Sequence, residues 1–375
     1  MDFAKSDIQT MLLDSAERLL SETSGVEYWR EQRDNALGFD ETRWAQFAEL
    51  GWLALPVPEA AGGLDGTIED VALLNIALGK ALATEPYVST VVLADHILKQ
   101  SANEARAMEL LGEIAGGTLR VALAHQENHA HPLSIEVTET VARTSSEGYV
   151  LNGAKIMALD APSAARLIIT ARIEGEEGIG LFLLPIDQAG VATEAYALID
   201  GTRAADIRLT DVALPADALL VGGNRGAVVL REAIDRAMIA LMAQAVGAME
   251  AANKICGAYV QERKQFGVAI GSFQAIQHIM ADNFVAAHQA RSMLYHALAN
   301  ADGDERTRAA ALSAARIVVG EAGQLVSRNG IQVHGGYGLT DEYAIGHYFR
   351  RLMAIEKQFG DLIQHTERLG DSIFA

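Results

Sequence analysis

Gln261-Glu262-Arg263-Lys264-Gln265-Phe266-Gly267, continued by Ile270-Gly271-Ser272-Phe273-Gln274-Ala275-Ile276-Gln277, is the stretch on which the reading of this chain turns. A basic pair ends one helical pattern, an aromatic and two glycines make a turn, and Gln274 opens the next helix. A guanidinium beside glycine-permitted backbone and a helix N-terminus suits a diphosphate, because the cation and the helix dipole act on the same anion. The same residues also read as a helix C-cap with its usual basic residues and glycine stop. On this piece alone both readings stand.

A second glycine-rich stretch lies downstream, Gly330-Ile331-Gln332-Val333-His334-Gly335-Gly336-Tyr337-Gly338-Leu339-Thr340. So many glycines let a ligand approach the backbone, and Gln332 and His334 carry groups that bond ribose or phosphate. It is not a dinucleotide fingerprint, because helix rather than strand precedes it and the glycine spacing differs. A plain helix-to-helix turn is the alternative.

Outward from these segments the chain is helical. Ala227 to Arg263 is apolar on more than one face, as expected of a helix buried among helices, and two further helices are predicted at about 274–300 and 304–329. Before Gly222-Gly223 the texture differs. Leu119 to Ala124, Tyr149 to Leu151, Leu167 to Ala171, Gly180 to Leu184 and Ile207 to Leu209 are short apolar runs bounded by turn formers. They predict a β region closed by the Pro215-Ala216-Asp217 turn. Earlier still, Ile8, Met11, Leu12, Leu19 and Leu20 recur at helical spacing behind Ser6 or Asp7 as cap. A helix from Glu41 to Leu50 buries Trp44 and Phe47, a loop covers Leu55 to Gly63, and helix returns from Ile68 to about Lys99, broken near Pro86. The fold class expected is mainly α with a central β domain, divided as 1–118, 119–222 and 223–375, the last a four-helix bundle that also offers an oligomer interface.

The bulk numbers agree with that scheme. At 375 residues the chain exceeds what one core usually serves, and 50% apolar with 21% charged residues is ordinary globular composition. A net charge of −19 argues against a nucleic-acid or anionic-membrane surface, since both require a local excess of Lys and Arg. The single cysteine, Cys256, makes neither an internal disulfide nor a cysteine zinc site and reads as packing. The opening Met1 to Asp7 lacks a signal-peptide pattern and no stretch is read as a membrane span, so a cytoplasmic protein is expected. His125, His129 and His131 raise the thought of a metal site, but no carboxylate and cysteine pattern accompanies them. They are read as surface-loop histidines.

Taken together, the Arg263-x-x-Phe266-Gly267 turn, Phe273-Gln274, and Gln332-x-x-Gly335-Gly336 resemble the C-terminal domain of the acyl-CoA dehydrogenases. Trp44 to Gly63 looks like the same family's N-terminal domain, and the helical, β, helical order matches over nearly the whole chain. The resemblance implies FAD as cofactor, an acyl-CoA as substrate and an electron-transfer flavoprotein as electron acceptor. It makes Arg263 the diphosphate ligand, sets Phe266, Phe273 and Gln274 near the adenosine, and puts Gln332, Val333, His334, Gly335 and Gly336 beneath the diphosphate and ribose of a neighbouring chain's flavin.

The family's reaction needs a carboxylate to take the α-proton while the β-hydrogen leaves as hydride. An ungapped count from Gly335-Gly336 puts the usual Glu position on Phe359, before Gly360. Other members place the base early in the first C-terminal helix. Asp235-Arg236 looks similar, although the ungapped position is Ala237. Asp235 is therefore the candidate base, with a solvated or ion-paired helix residue as the alternative, and Glu356 and Asp361 are weaker candidates. The middle domain departs too, reading Ala124 to His131 and Lys155-Ile156-Met157-Ala158-Leu159-Asp160 where the family grips the flavin ring. These features look most like the small subunits of heteromeric members, such as that of pimeloyl-CoA dehydrogenase. A homologous large subunit, or otherwise a homo-oligomer, is thereby implied.

Overall fold

The computed structural model describes residues 5–128, 133–135 and 139–374. Helix α1 (Asp7–Thr23) starts at a capping box: the Ser6 hydroxyl accepts from the Gln9 amide and the Gln9 side chain accepts in return. Helix α2 (Val26–Asp34) was not legible, being dense in charge with few apolar positions. Helix α3 (Glu41–Glu49) is capped by Asp40 and buries Trp44 and Phe47. The loop that follows contains one 3-10 turn, Glu59–Ala61. Helix α4 (Ile68–Lys80) ends well before Pro86, and the chain resumes as a π-helix, Val88–Ala94, before α5 (Asp95–Lys99) and α6 (Glu104–Ala115).

The strands are β1 (Val121–Ala124), β2 (Val141–Ser145), β3 (Gly148–Leu159), β4 (Arg166–Ile173), β5 (Gly180–Pro185), β6 (Val191–Ala197), β7 (Arg203–Pro215) and β8 (Leu219–Val221). β2 and β6 escape an apolar-run reading because most of their residues face solvent. The long helix α7 (Gly223–Glu262) leads to a hairpin, β9 (Lys264–Gln265) and β10 (Val268–Ala269). Then come α8 (Gln274–Ala299), α9 (Glu305–His334), α10 (Ala344–Lys357) and α11 (Leu362–Phe374). α9 runs five residues beyond the predicted 329, so Gln332, Val333 and His334 belong to its last turn.

The chain divides into two compact units, Met1–Glu31 with Ile68–Ala83 and Met238–Ala375, and Gln32–Thr67 with Thr84–Ala237. In the first, α9 packs against α8, α10 and α11. α4 and α7 approach closely enough that a Cβ on Gly247 would stand 2.0 Å from the Ile76 carbonyl oxygen. A buried polar chain crosses that contact: Arg351 donates to Gln244 (2.6 Å), which donates to Asn75 (2.8 Å). One segment, Glu305–Leu339, does meet the length and hydropathy of a membrane span, contrary to the reading of the sequence. The reason is physical: the central helix of a bundle is apolar on several faces, and half of that window is buried against its neighbours.

The second unit is built on a sheet in the order β6-β7-β3-β2-β4-β5-β8, with β1 parallel to β4. Its core is made of small and branched residues such as Ala122, Leu151, Leu167, Ile169, Phe182 and Ile207. A buried ion pair, Arg43 with both oxygens of Glu85 at 2.6 and 2.8 Å, lies in the same unit.

Candidate functional site

Arg263 follows the last turn of α7, and the β9–β10 hairpin folds back so that the Ile270 amide donates to the Arg263 carbonyl at 2.8 Å. Gln265 pairs with Val268, leaving Phe266 and Gly267 as a two-residue turn. Both have left-handed φ, 54° and 85°. That geometry favours Asn-Gly, and a bulky residue there is strained by roughly 1–2 kcal/mol. Yet the Phe266 ring is 93% exposed, touching Phe273 edge-on at 6.2 Å. A strained and exposed aromatic gains nothing for the isolated chain, which points to a contact made outside it.

Among the described residues the Arg263 guanidinium, which is exposed, has no hydrogen-bonding or ion-pair partner. Helix α8 starts at Gln274, with Phe273 at the N-cap supplying no side-chain acceptor. The Gln274 and Ala275 amides, with no described partner, are thus left for solvent or an anion, whereas those of Ile276 and Gln277 donate to the Phe273 carbonyl at 3.0 and 3.1 Å.

Val333 packs with Val260 and Ile270 in one small core, so the structure brings the two glycine-rich segments together. Gln332 is exposed, whereas Val333 and His334 are buried. His334 bonds the Gly330 carbonyl through Nδ1 (2.7 Å) and the Tyr343 hydroxyl through Nε2 (3.2 Å), and its ring lies 4.1 Å from Tyr259. Burial lowers its pKa, so Nδ1 carries the proton and Nε2 accepts from Tyr343. With both nitrogens so used, the side chain is not the ribose or phosphate donor that the sequence suggested; what position 334 offers is backbone. Gly335 has φ 61° and ψ −143°, a conformation for glycine, and a Cβ on Gly335 or Gly336 would meet nothing within 4 Å. The turn is open on the side a ligand would use.

The turn at Phe359 is rigidly framed. Phe359 and Gly360 have φ of 54° and 97°, and Arg316 donates to the carbonyls of Ile355, Glu356, Gln358 and Gly360 at 2.8–3.2 Å. His365 holds the Phe359 carbonyl at 3.1 Å and faces the Ser313 hydroxyl at 3.3 Å. Burial pushes its pKa down to about 3, so it donates from Nε2 as a neutral ring. Glu356 accepts from the Leu362 amide (3.2 Å) and pairs with Lys357 (3.1 Å). Asp361 caps α11 through the Ile363 and Gln364 amides. Both carboxylates flanking Phe359 are therefore committed locally. Asp235 is 2% exposed, which removes the solvated alternative for it.

His125 is buried rather than a surface-loop residue, bonding Thr170 (3.1 Å) and the Ser134 carbonyl (2.7 Å). His129 and His131 lie outside the described residues. Cys256 is buried, and desolvation pushes its thiol up to about 12, so it is inert packing. Sequence reading missed Lys155, fully buried against Glu127 at 2.7 Å. The available signal was a lone lysine between Ala154 and Ile156 in a strand whose neighbours are apolar.

The geometry is that of a helical bundle carrying an exposed arginine, two exposed phenylalanines and an open glycine turn. The C-terminal domain of acyl-CoA dehydrogenase matches residues 224–362, and the N-terminal domain of the same family matches residues 6–118. The probable acyl-CoA dehydrogenase YngJ of Bacillus subtilis is 31% identical over 349 residues, covering 90% of each chain. Among solved structures, a variant of the Tcur3481-Tcur3483 steroid ACAD is 29% identical with a TM-score of 0.87, covering 98% of each chain. The ChsE4-ChsE5 complex from Mycobacterium tuberculosis superimposes with a TM-score of 0.90 at 24% identity, covering 100% of this chain and 99% of that one, which speaks for the fold.

This chain belongs to the acyl-CoA dehydrogenase family. Its fold is that family's, a helical N-terminal part, a β sheet and a helical C-terminal part in chain order, and the family is one of FAD-dependent oxidoreductases.

Proposed function

We propose that this chain is a subunit of an FAD-dependent acyl-CoA dehydrogenase that acts with a homologous larger chain in α,β-desaturation of an acyl-CoA thioester. Arg263, the uncapped start of α8 at Gln274, and the open backbone of Gly335-Gly336 fit a diphosphate, and Phe266 and Phe273 fit an adenosine beside it. When bound, the flavin supplies the hydride acceptor; these residues of the chain would hold its charged end. The carrying observation is the contrast between that open turn and the Phe359 turn, where a phenylalanine stands at the usual base position and Glu356 and Asp361 are bonded locally. The α-proton is then taken by a carboxylate of the partner.

Exposed apolar residues of the same unit support a partner chain: Phe284, Val285, Leu325, Tyr337 and Leu339 are 41–73% exposed. The relative solved as the ChsE4-ChsE5 complex is itself a two-component assembly. An electron-transfer flavoprotein as electron acceptor, a cytoplasmic location, and the division at residues 118 and 222 belong to the same reading. The test is to purify the chain alone and together with a longer homologue from the same genome, and to compare flavin content. A yellow, homomeric chain reduced by an acyl-CoA alone refutes the need for a partner.

The burial of Asp235 favours a second reading, a self-sufficient homo-oligomer with Asp235 as base. Asp235→Asn would then abolish flavin reduction while flavin stays bound; unchanged turnover eliminates it.

A further inference from the structure

Besides the Arg43–Glu85 pair, the second unit buries a charge on β3. There the ammonium of Lys155, with no exposed surface, donates to Glu127 Oε1 at 2.7 Å and to Thr170 Oγ1 at 3.0 Å. The Glu127 carboxylate also accepts from the amides of Glu139 and Thr140, both at 2.9 Å. One side chain thus ties residue 127 to residues 139 and 140. Beside it the Ile156 amide donates to the Gln126 carbonyl at 2.8 Å, fastening the same segment to β3.

The hydroxyl of Thr170 extends the network. It accepts from Lys155, which can only donate, and so turns its own proton toward His125 Nδ1, 3.1 Å away. His125 must then be the Nε2-protonated tautomer, which donates to the Ser134 carbonyl at 2.7 Å. Burial and the nearby ammonium push the imidazole down to about 4, so it stays neutral in this role.

β3 is bent at the same point. Its pairing with β7 slips between Lys155 and Ala158, and Met157 has φ 52°. The Met157 amide donates to Asp206 Oδ1 at 3.0 Å, which also accepts from the Tyr196 hydroxyl at 2.9 Å. Bulges with a strained residue recur where a side chain or loop must be aimed, and their cost is met by surrounding bonds. A buried ion pair adds little net stability over an apolar pair of similar volume. What this one gives is position: residues 125–127, 134 and 139–140 are linked, through Glu127, Thr170 and His125, to one ammonium.

We propose that Lys155 is a positioning residue: through Glu127, Thr170 and His125 it sets the backbone at residues 125–128, 134 and 139–140, which would face the flavin ring. The link to the flavin rests on the function proposed above; the link to the backbone does not.

The experiment compares Lys155→Met with the double variant Glu127→Gln/Lys155→Met in the full chain. Melting, amide exchange at residues 126–128 and 139–140, and the visible circular dichroism of flavin in the complex co-purified with the homologous chain are read together. Lys155→Met strands a buried carboxylate and melts lower; the double variant removes that charge and regains most of the loss. Positioning predicts that in the double variant these amides still exchange about tenfold faster than in the wild type and the flavin signal stays altered. Return of exchange and flavin signal to wild type with the melting temperature would overturn the proposal, leaving the pair a stability element. If Lys155→Met does not fold, the double variant decides alone. A complex without flavin counts against the functional reading, and the exchange rates then decide the role of Lys155.

Discussion

Replacing Phe266 by Asn should make the isolated chain more stable and the assembled flavoprotein worse. Phe266 and Gly267 form a two-residue hairpin turn with φ of 54° and 85°. A β-carbon in the left-handed region costs roughly 1–2 kcal/mol, a strain that Asn tolerates far better than Phe. Nothing offsets the gain inside the chain, because the ring is 93% exposed and its described ring contact is an edge-on approach to Phe273. The expected net gain is about 1 kcal/mol, a rise in melting temperature of ~1–2 °C for a chain of this length. If the ring packs on the cofactor's adenosine, its loss weakens binding by about 1 kcal/mol or more, about fivefold or more in affinity. Calorimetric melting of the chain alone and flavin content of the assembled protein measure the two effects separately. The reasoning is refuted if Phe266→Asn melts below the wild type, or if flavin is retained undiminished through dilution.

Other substitutions follow from the packing. Arg43→Met leaves Glu85, wholly buried, without its bidentate partner and should destabilise by about 3–5 kcal/mol in chemical denaturation, with much of that regained when Glu85 is also made apolar. Gly247→Ala drives a methyl into the Ile76 carbonyl, 2.0 Å away, and should cost about 1–3 kcal/mol or block folding, whereas Gly257→Ala, with open space around it, should be tolerated. Acid should act first through two buried histidines. His125 and His365 are held neutral, at about 4 and about 3 against an ordinary 6.5, so their contribution is full above pH 6.5 and lost as pH falls toward those values. His125→Gln should flatten the pH 6.5 to 4 limb of a stability curve by at most about 3 kcal/mol; an unchanged limb would show that the folded His125 titrates as it does in the unfolded chain.

How much of this was legible varies by element, for physical reasons. α1, α3, α7 and α8 carry an apolar period and local punctuation: Ser6, Asp40, Gly223 and Phe273-Gln274 stand at their starts. α2 and the strands β2 and β6 have too little apolar surface to announce themselves. The π-helix after Pro86 depends on an unusual hydrogen-bond register that residue type does not encode. At the candidate site the sequence pointed to both glycine-rich segments, and the structure joins them through Val260, Ile270 and Val333. It could not tell that His334 is bonded inward to Gly330 and Tyr343, because side-chain direction on the last turn of α9 depends on where that helix ends. Lys155 stayed invisible for a related reason: its partner, Glu127, lies 28 positions away, across strands whose pairing no local pattern reveals.

The most direct test of the account is the flavin content of Arg263→Ala in the complex with the homologous chain. The guanidinium is exposed and makes no described bond within the chain, so its removal should leave folding and assembly intact. An anionic diphosphate would lose its charge-assisted contact. The account predicts an assembled but largely colourless complex, regaining colour only at high added FAD. An Arg263→Ala complex that keeps its full flavin through gel filtration would contradict it.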